Sequence, residues 1–196
     1  MRRSQTAATE DRMQFDLQPR LTGELLELRP LQPDDFDALF AAASDPLIWE
    51  QHPESDRYKR AVFQKYFDGA IESGGAFAII ERKSGRIIGS SRYVNVVAAA
   101  VTGGSPIREI EIGWTFLERS FWGGRYNREL KKLMLDHAFR FVDRVLFVVG
   151  ENNLRSQKAL EKIGARFLRK SEAFEPDGSS RLVFAIDKRS YFALSS

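Results

Sequence analysis

Between residues 107 and 149 the chain runs from an alternating pattern, REIEIGWTFL, into two glycines, Gly123 and Gly124. It then passes through a long amphipathic segment into the unbroken apolar run RVLFVV. Alternation at a period of two marks a strand with one covered face, and a short continuous apolar run marks a strand covered on both. Between them Leu130, Leu133, Met134, Ala138 and Phe141 stand at offsets 0, 3, 4, 8 and 11, the stripe of a helix from about Asn127. Strand, helix and strand in this order form a crossover unit, which packs right-handed on a sheet. This unit narrows the architectures open to the chain more than any other segment.

The glycine pair then acquires a chemical meaning. In a crossover unit the turn into the helix lies beside the helix N-terminus, where unpaired backbone N–H groups and the dipole favour an anion by roughly 0.3–1 kcal/mol per charge, and up to about 2 when partly buried. Glycines let such an anion approach the backbone. Arg125 and Arg128 put cations at the same place, against the helix dipole, a conflict that an anionic ligand would resolve. The plain alternative is a tight turn with solvated arginines.

Around this unit the chain reads as one domain with a polar arm at 1–20 and a body at 21–196. The segment ELLELRPLQ is a strand ending at Arg29-Pro30, and PDDFDALFAAASDPLIW a helix opened by Pro33 and two aspartates with Phe36, Leu39, Phe40 and Ala43 on one face. A second helix spans about Ser55 to Ser73. Two strands follow as a hairpin around Lys83-Ser84-Gly85, then a loop over residues 97–106. After the crossover unit, ENNLRSQKALEKIGA is a helix closed by Gly164, and the tail is two strands joined at Glu175-Pro176-Asp177-Gly178. The 196 residues hold 15 Phe and 43% apolar residues, enough for a sizeable core, and no cysteine for a disulfide, a thiolate zinc site or an acyl-cysteine intermediate. His52 and His137 are the only histidines, so no metal site is expected. No apolar run approaches the roughly 18 residues of a membrane span, and a net charge of +3, scattered along the chain, does not favour nucleic acid. A cytoplasmic protein is expected, and the charge is compatible with an anionic small ligand.

Three stretches in order, LTGELLELRPLQPDDFDALF, EIGWTFLERSFWGGRYNREL and ENNLRSQKALEKIGARF, carry a resemblance over residues 22–190. The chain resembles the GNAT-superfamily N-acetyltransferases, within them the ribosomal-protein N-terminal acetyltransferase (RimJ/RimL-like) branch. The resemblance implies a mixed α/β fold: a mostly antiparallel sheet with a central pair of parallel strands that splay apart, flanked by helices. It implies acetyl-CoA as co-substrate, no metal, and a small-molecule or peptide amine as acceptor. It places CoA against Trp114, Thr115 and Phe116 on the splayed strand, against Trp122, Gly123, Gly124, Arg125, Tyr126 and Asn127 in the loop, and against Asn153 and Ser156 of the last motif. Two departures stand out. Trp122, Arg125 and Asn127 occupy the three defining places of the family's diphosphate loop, and Leu160 replaces the tyrosine that commonly protonates the leaving thiolate. Ser156, a water or no side chain would then do this work.

Direct transfer needs a neutral amine, donors for the carbonyl oxygen and a proton for the thiolate. Backbone N–H groups near Thr115 and Phe116 are the expected oxyanion donors. Glu109 and Glu111 share one strand face opposite Ile110 and Ile112, and Glu111, closer to Gly113–Thr115, is the expected general base. Each residue has a plainer reading: Glu109 and Glu111 as solvated edge residues, His137 as a core or boundary histidine, His52 as a surface residue, Trp114 and Trp122 as packing, Asn153 as an N-cap. Arg155 and Lys158 read as a solvated face or as contacts to the adenosine phosphate. The alternatives to a peptide or small-molecule amine acetyltransferase are a silent CoA-binding module and a polyamine or antibiotic acetyltransferase with an acidic pocket. Monomer and homodimer both remain open.

Overall fold

The computed structural model describes residues 15–99, 107–174 and 178–193. Its strands are β1 (Leu21–Thr22), β2 (Leu26–Pro30), β3 (Ala76–Glu81), β4 (Ile87–Ala99), β5 (Ile107–Leu117), β6 (Arg144–Gly150), β7 (Arg166–Phe174) and β8 (Ser180–Asp187). The helices are α1 (Phe36–Ala43), α2 (Arg60–Glu72), α3 (Arg125–Ala138), α4 (Leu154–Lys162) and α5 (Lys188–Ala193). One sheet of 8 strands has the order β1-β2-β3-β4-β5-β6-β8-β7. Every pairing is antiparallel except that of β5 with β6, the two strands joined through α3.

Two apolar cores sandwich the sheet, and strand alternation assigns residues between them. In β3, Ala76 and Ala78 face the core of α1 and α2, while Phe77 and Ile79 face that of α3. Leu130, Met134 and Ala138 of α3 are fully buried. Covering an apolar side chain of leucine or methionine size stabilises by about 1.5–3 kcal/mol, so this stripe fixes which side of α3 meets the sheet. Glu129, on the same helix, accepts from Leu25 N at 2.8 Å and Leu26 N at 2.9 Å, which ties the start of β2 to the first turns of α3.

The parallel pair is short. Glu109, Ile110 and Glu111 pair with Arg144, Val145 and Leu146, and among the described residues the pairing of β5 with β6 goes no further. Both strands nevertheless continue, β5 along β4 to Leu117 and β6 along β8 to Gly150. They must therefore diverge, and a cleft opens between them. At the point of divergence β5 carries a bulge: Arg92 pairs with Gly113 and Ser90 with Phe116, so Ser91 opposes both Trp114 and Thr115. Trp114 holds φ at +50°, in the left-handed region that few non-glycine residues enter. The extra residue reverses the alternation. Ile110 and Ile112 face the α3 core, and after the bulge Leu117 does so while Phe116 joins the α1/α2 core.

Several boundaries differ from expectation. α1 ends at Ala43 because Pro46 cannot continue it, and Asp45 accepts from Leu47 N at 2.9 Å to cap a separate 3-10 turn at Pro46–Ile48. The segment Ser55–Tyr58 is likewise a 3-10 turn, and the α-helix starts only at Arg60. α3 begins two residues before Asn127, at Arg125. β4 runs through Ala99, so the segment expected as a loop from 97 starts as strand, and residues 100–106 lie outside the described ones, as do 175–177 of the final turn. Residues 1–14 of the expected arm also lie outside. From Phe15 on, the chain belongs to the core: that ring is buried and meets Tyr93 edge-on with centroids 5.1 Å apart. His137 is a satisfied core histidine, its Nε2 lying 2.8 Å from Asp16 O, and burial lowers its pKa.

Candidate active site

The divergence of β5 and β6 leaves a cavity of about 190 Å3. Its walls are Ile112 to Thr115 of β5, Phe147 to Gly150 at the end of β6, Asn127 and Lys131 of α3, and Asn153, Ser156, Ala159 and Leu160 of α4 or its cap. Trp49, His52, Pro53 and Arg57, from the segment between α1 and α2, also line it. The cleft thus joins two regions: the α3 and α4 N-termini on one side, an aromatic and cationic pocket on the other.

On the first side, Gly124 caps α3 with φ +128° and ψ −57°, and Gly123 holds φ +102°. A Cβ built on either would meet nothing within 4 Å, so these glycines serve the backbone conformation and leave open space in front of it. The first intrahelical bond is Arg128 N to Gly124 O at 2.9 Å, and the amides before it in the first turn have no carbonyl of the helix to reach. The residues present fit a diphosphate here: backbone donors, a dipole end and a glycine-lined approach. Of the loop residues only Asn127 reaches the cleft. Tyr126 is directed away, its hydroxyl donating to Glu81 Oε1 at 2.9 Å, and Arg125 lies over the Tyr126 ring at 5.2 Å. Asn153 is the N-cap of α4, accepting from Ser156 N at 3.1 Å, and both residues also line the cavity. Its cap and cleft positions coincide.

Trp122 is 38% exposed and is not a core residue; its Nε1 donates to Leu117 O at 2.9 Å and the Arg155 guanidinium stacks on it at 4.5 Å. Arg155 is not merely solvated either, since it pairs with Glu50 and its N–H donates to Gln51 Oε1 at 3.1 Å. That arginine ties the segment after α1 to α4 and Trp122.

At the bulge, Trp114 is 41% exposed, lines the cleft and receives Arg92 over its ring at 4.8 Å, so it too is more than packing. Its carbonyl accepts from Tyr66 Oη at 2.8 Å, which holds the bulge in place. The Phe116 side chain does not reach the cleft; it is buried against Trp49 and Tyr66. His52, expected at the surface, lines the cleft, and burial first and the Arg57 charge second lower its pKa to about 3. It is neutral at every ordinary pH. Arg57 is buried, lies over the Trp49 and Tyr66 rings, and pairs with Glu54.

Glu109 and Glu111 are not edge residues, because β5 lies inside the sheet. Glu109 pairs with Arg144 at 3.1 Å. Glu111 accepts from Asn95 Nδ2 at 3.1 Å, and its Oε1 lies where a side chain at Gly113 would be, 3.1 Å from an ideal Cβ there. Gly113 lines the cleft and Glu111 does not; the missing side chain at Gly113 leaves room for the carboxylate beside it. Burial is the main cause that raises the Glu111 pKa, against the Asn95 bond and the Arg181 charge.

The residue that sequence reasoning missed is Lys131. It is 5% exposed, on the cleft wall, with Nζ donating to Thr115 Oγ1 at 2.7 Å and lying 5.6 Å from the Phe147 ring centroid. No carboxylate pairs with it among the described residues, and burial lowers its pKa to about 7. Asn127 and Lys131 stand four residues apart in α3, a spacing that puts them on one ridge, and this was the available signal.

Comparison with known proteins agrees with this geometry. A family model for an acetyltransferase (GNAT) domain matches residues 26–166, more than half of the chain. A GCN5-related N-acetyltransferase from Brucella melitensis superposes with a TM-score of 0.77 at 23% identity, covering 90% of this chain and 82% of that one. A GNAT-family acetyltransferase from Bacillus anthracis gives 0.67 at 19% identity, covering 87% and 99%. RimJ from Mycobacterium smegmatis, in complex with CoA-disulfide, gives 0.62 at 21% identity, covering 87% and 89%. At these identities the structural likenesses carry the fold.

Proposed function

The chain belongs to the GNAT acetyltransferase family and is an acyltransferase, and on that premise we propose that it moves an acetyl group from acetyl-CoA directly to a primary amine, in the manner of the RimJ/RimL-like branch. The observation that carries this reading is the cleft itself, which runs from Asn127 in the first turn of α3 and Asn153 at the cap of α4 to the pocket of Trp49, His52, Arg57 and Trp114. Acetyl-CoA supplies an activated acyl group as its thioester. The backbone at Gly123–Asn127 would hold the diphosphate, Asn153 and Ser156 would face the pantetheine arm, and N–H groups at the Trp114–Phe116 bulge would face the carbonyl oxygen.

The pocket side speaks to the acceptor. Among the described residues lining the cleft there is no Asp or Glu, and a buried guanidinium is present. A polycation such as a polyamine or aminoglycoside would find no counter-charge there, which supports a singly charged amine, a peptide α-amine or an amino compound bearing an anionic group. Glu111, leaning toward Gly113 with a raised pKa, is the proposed base. The test is CoA release with a panel of peptides, amino acids, polyamines and aminoglycosides. Turnover with peptide or amino-acid amines supports the reading. Measurable acetyl-CoA binding without turnover on any amine favours a silent module, to which the altered loop residues Arg125 and Asn127 would then belong.

A further inference from the structure

Lys131 has no role in the mechanism so far, yet it occupies the reaction cleft. A lysine is rarely buried without a carboxylate, because taking an ammonium out of water costs several kcal/mol unless it is paired. Among the described residues the one hydrogen bond of the Lys131 ammonium is to Thr115 Oγ1, a neutral acceptor that itself shares a proton with Ser91 Oγ at 2.7 Å. An ammonium has three N–H bonds, so two remain directed into the cleft or toward Phe147. Thr115 sits in the bulge where β5 leaves β6 and lines the cleft. On the facing helix Leu160, where the family resemblance implies a tyrosine, is buried and has no proton to give.

Resting on the acetyltransferase reading above, we propose that Lys131 is the catalytic acid that protonates the departing thiolate, reached from α3 instead of from α4. The acceptor nitrogen forms a bond to the acyl carbon, the carbon–sulfur bond breaks with its electron pair going to sulfur, and a proton passes from Lys131 Nζ to that sulfur. Lys131 is left as a neutral amine; the proton lost by the acceptor passes to Glu111 and on to solvent, and a solvent proton restores the Lys131 ammonium. The direction is favourable. A thiol of cysteine type has a pKa of about 8.5, so a donor near 7 gives up its proton downhill. The other titratable groups lining the cleft do not compete: His52 is held neutral and Arg57 is paired with Glu54, while Glu111 is outside the lining, on the face of β5 opposite Ile112. Ser156 carries a hydroxyl whose proton is far less acidic.

The first measurement uses the intact protein without turnover. The Lys131 side-chain resonance, assigned by comparison with Lys131→Met, is titrated alone, with CoA and with desulfo-CoA. We expect a midpoint near 7 in the free protein, shifted by CoA and much less by desulfo-CoA. Equal shifts with both ligands overturn the proposal, while absence of CoA binding to the parent overturns the acetyltransferase reading and the proposal with it. The second measurement is the pH–rate profile. An acid must be protonated to act, so parent turnover at saturating substrates declines above about pH 7, and Lys131→Met loses both this alkaline limb and roughly 10²–10³ of rate with CoA affinity unchanged. Lys131→Arg keeps the charge but cannot release a proton in this range, so it stays as slow as Lys131→Met. Recovery of the parent rate in Lys131→Arg, or an alkaline limb persisting in Lys131→Met, overturns the assignment of proton transfer.

Discussion

Replacing Gly124 by Asp tests whether the turn before α3 holds a diphosphate, and the structure allows the effect to be divided in two. Gly124 stands at φ +128°, a region in which L-residues are strained by about 1–3 kcal/mol, while nothing within 4 Å would touch an added Cβ. Gly124→Ala therefore carries the backbone strain alone. Gly124→Asp carries the same strain plus a carboxylate beside two phosphate charges. At about 5 Å and an effective dielectric of about 40–80, suited to an exposed turn, each such contact costs roughly 1–2 kcal/mol. Two such contacts make about 2–4 kcal/mol, so CoA affinity, measured by calorimetry on both variants, should fall by about 30- to 700-fold more for Asp than for Ala, since about 1.4 kcal/mol is tenfold. Because the turn is exposed, the difference should shrink as salt is raised from low to about 0.5 M. Equal CoA affinities for folded Ala and Asp variants would remove the diphosphate from this turn.

Three further outcomes follow. Glu111→Gln should keep CoA affinity and lower turnover at pH 7 by roughly 10²–10³; since a base acts ionised and burial raises this pKa, the parent rate should fall as pH drops through that raised value, a limb the variant lacks, and equal rates from pH 6 to 9 would exclude Glu111. Ser156→Ala should cost no more than about threefold in the single-turnover rate if Lys131 is the acid, whereas a loss near 10² would return that role to the hydroxyl. Phe15→Ala should cost about 3–5 kcal/mol, the range for emptying a buried aromatic site, and lower the melting temperature by about 6–20 °C, read by circular dichroism; an unchanged melting temperature would detach residue 15 from the core.

How far the sequence carried these conclusions depends on what periodicity encodes. It records which face of an element is covered, so the crossover unit, the helix stripe of α3 and the opposed faces of Glu111 and Ile112 were readable from residue spacing. It does not record where two strands stop pairing. β6 is apolar along its length whether its neighbour is β5, as at Val145, or the cleft, as at Val149. The bulge at Trp114 was equally hidden, because tryptophan carries no preference for positive φ and only the register with β4 requires the extra residue. Boundaries at Pro46 and Arg60 were missed for a third reason: short 3-10 turns share the local pattern of the α-helices they adjoin.

Lys131 and Asn127 show why the departures from a family pattern and the structure need each other. Taken singly, Asn127 reads as a spoiled loop position and Lys131 as one more charge in the string RELKK. On α3 they are successive residues of one ridge, and the strand divergence turns that ridge toward the cleft. A helix that needed only to pack would place apolar atoms there, since a neutralised or unpaired lysine gives up stability that methionine would retain. With the pKa lowered from 10.5 to about 7, that loss is of order 4–5 kcal/mol at pH 7 or below, where the unfolded chain holds the charge freely. The sign is fixed by the depressed value: the penalty is absent above the unfolded pKa near 10.4 and grows as pH falls toward 7. Lys131→Met should therefore melt higher than the parent at pH 7 and by a smaller margin at pH 10, while losing turnover. A variant both less stable and inactive would mean that Lys131 holds the fold together, and that its place in the cleft is structural.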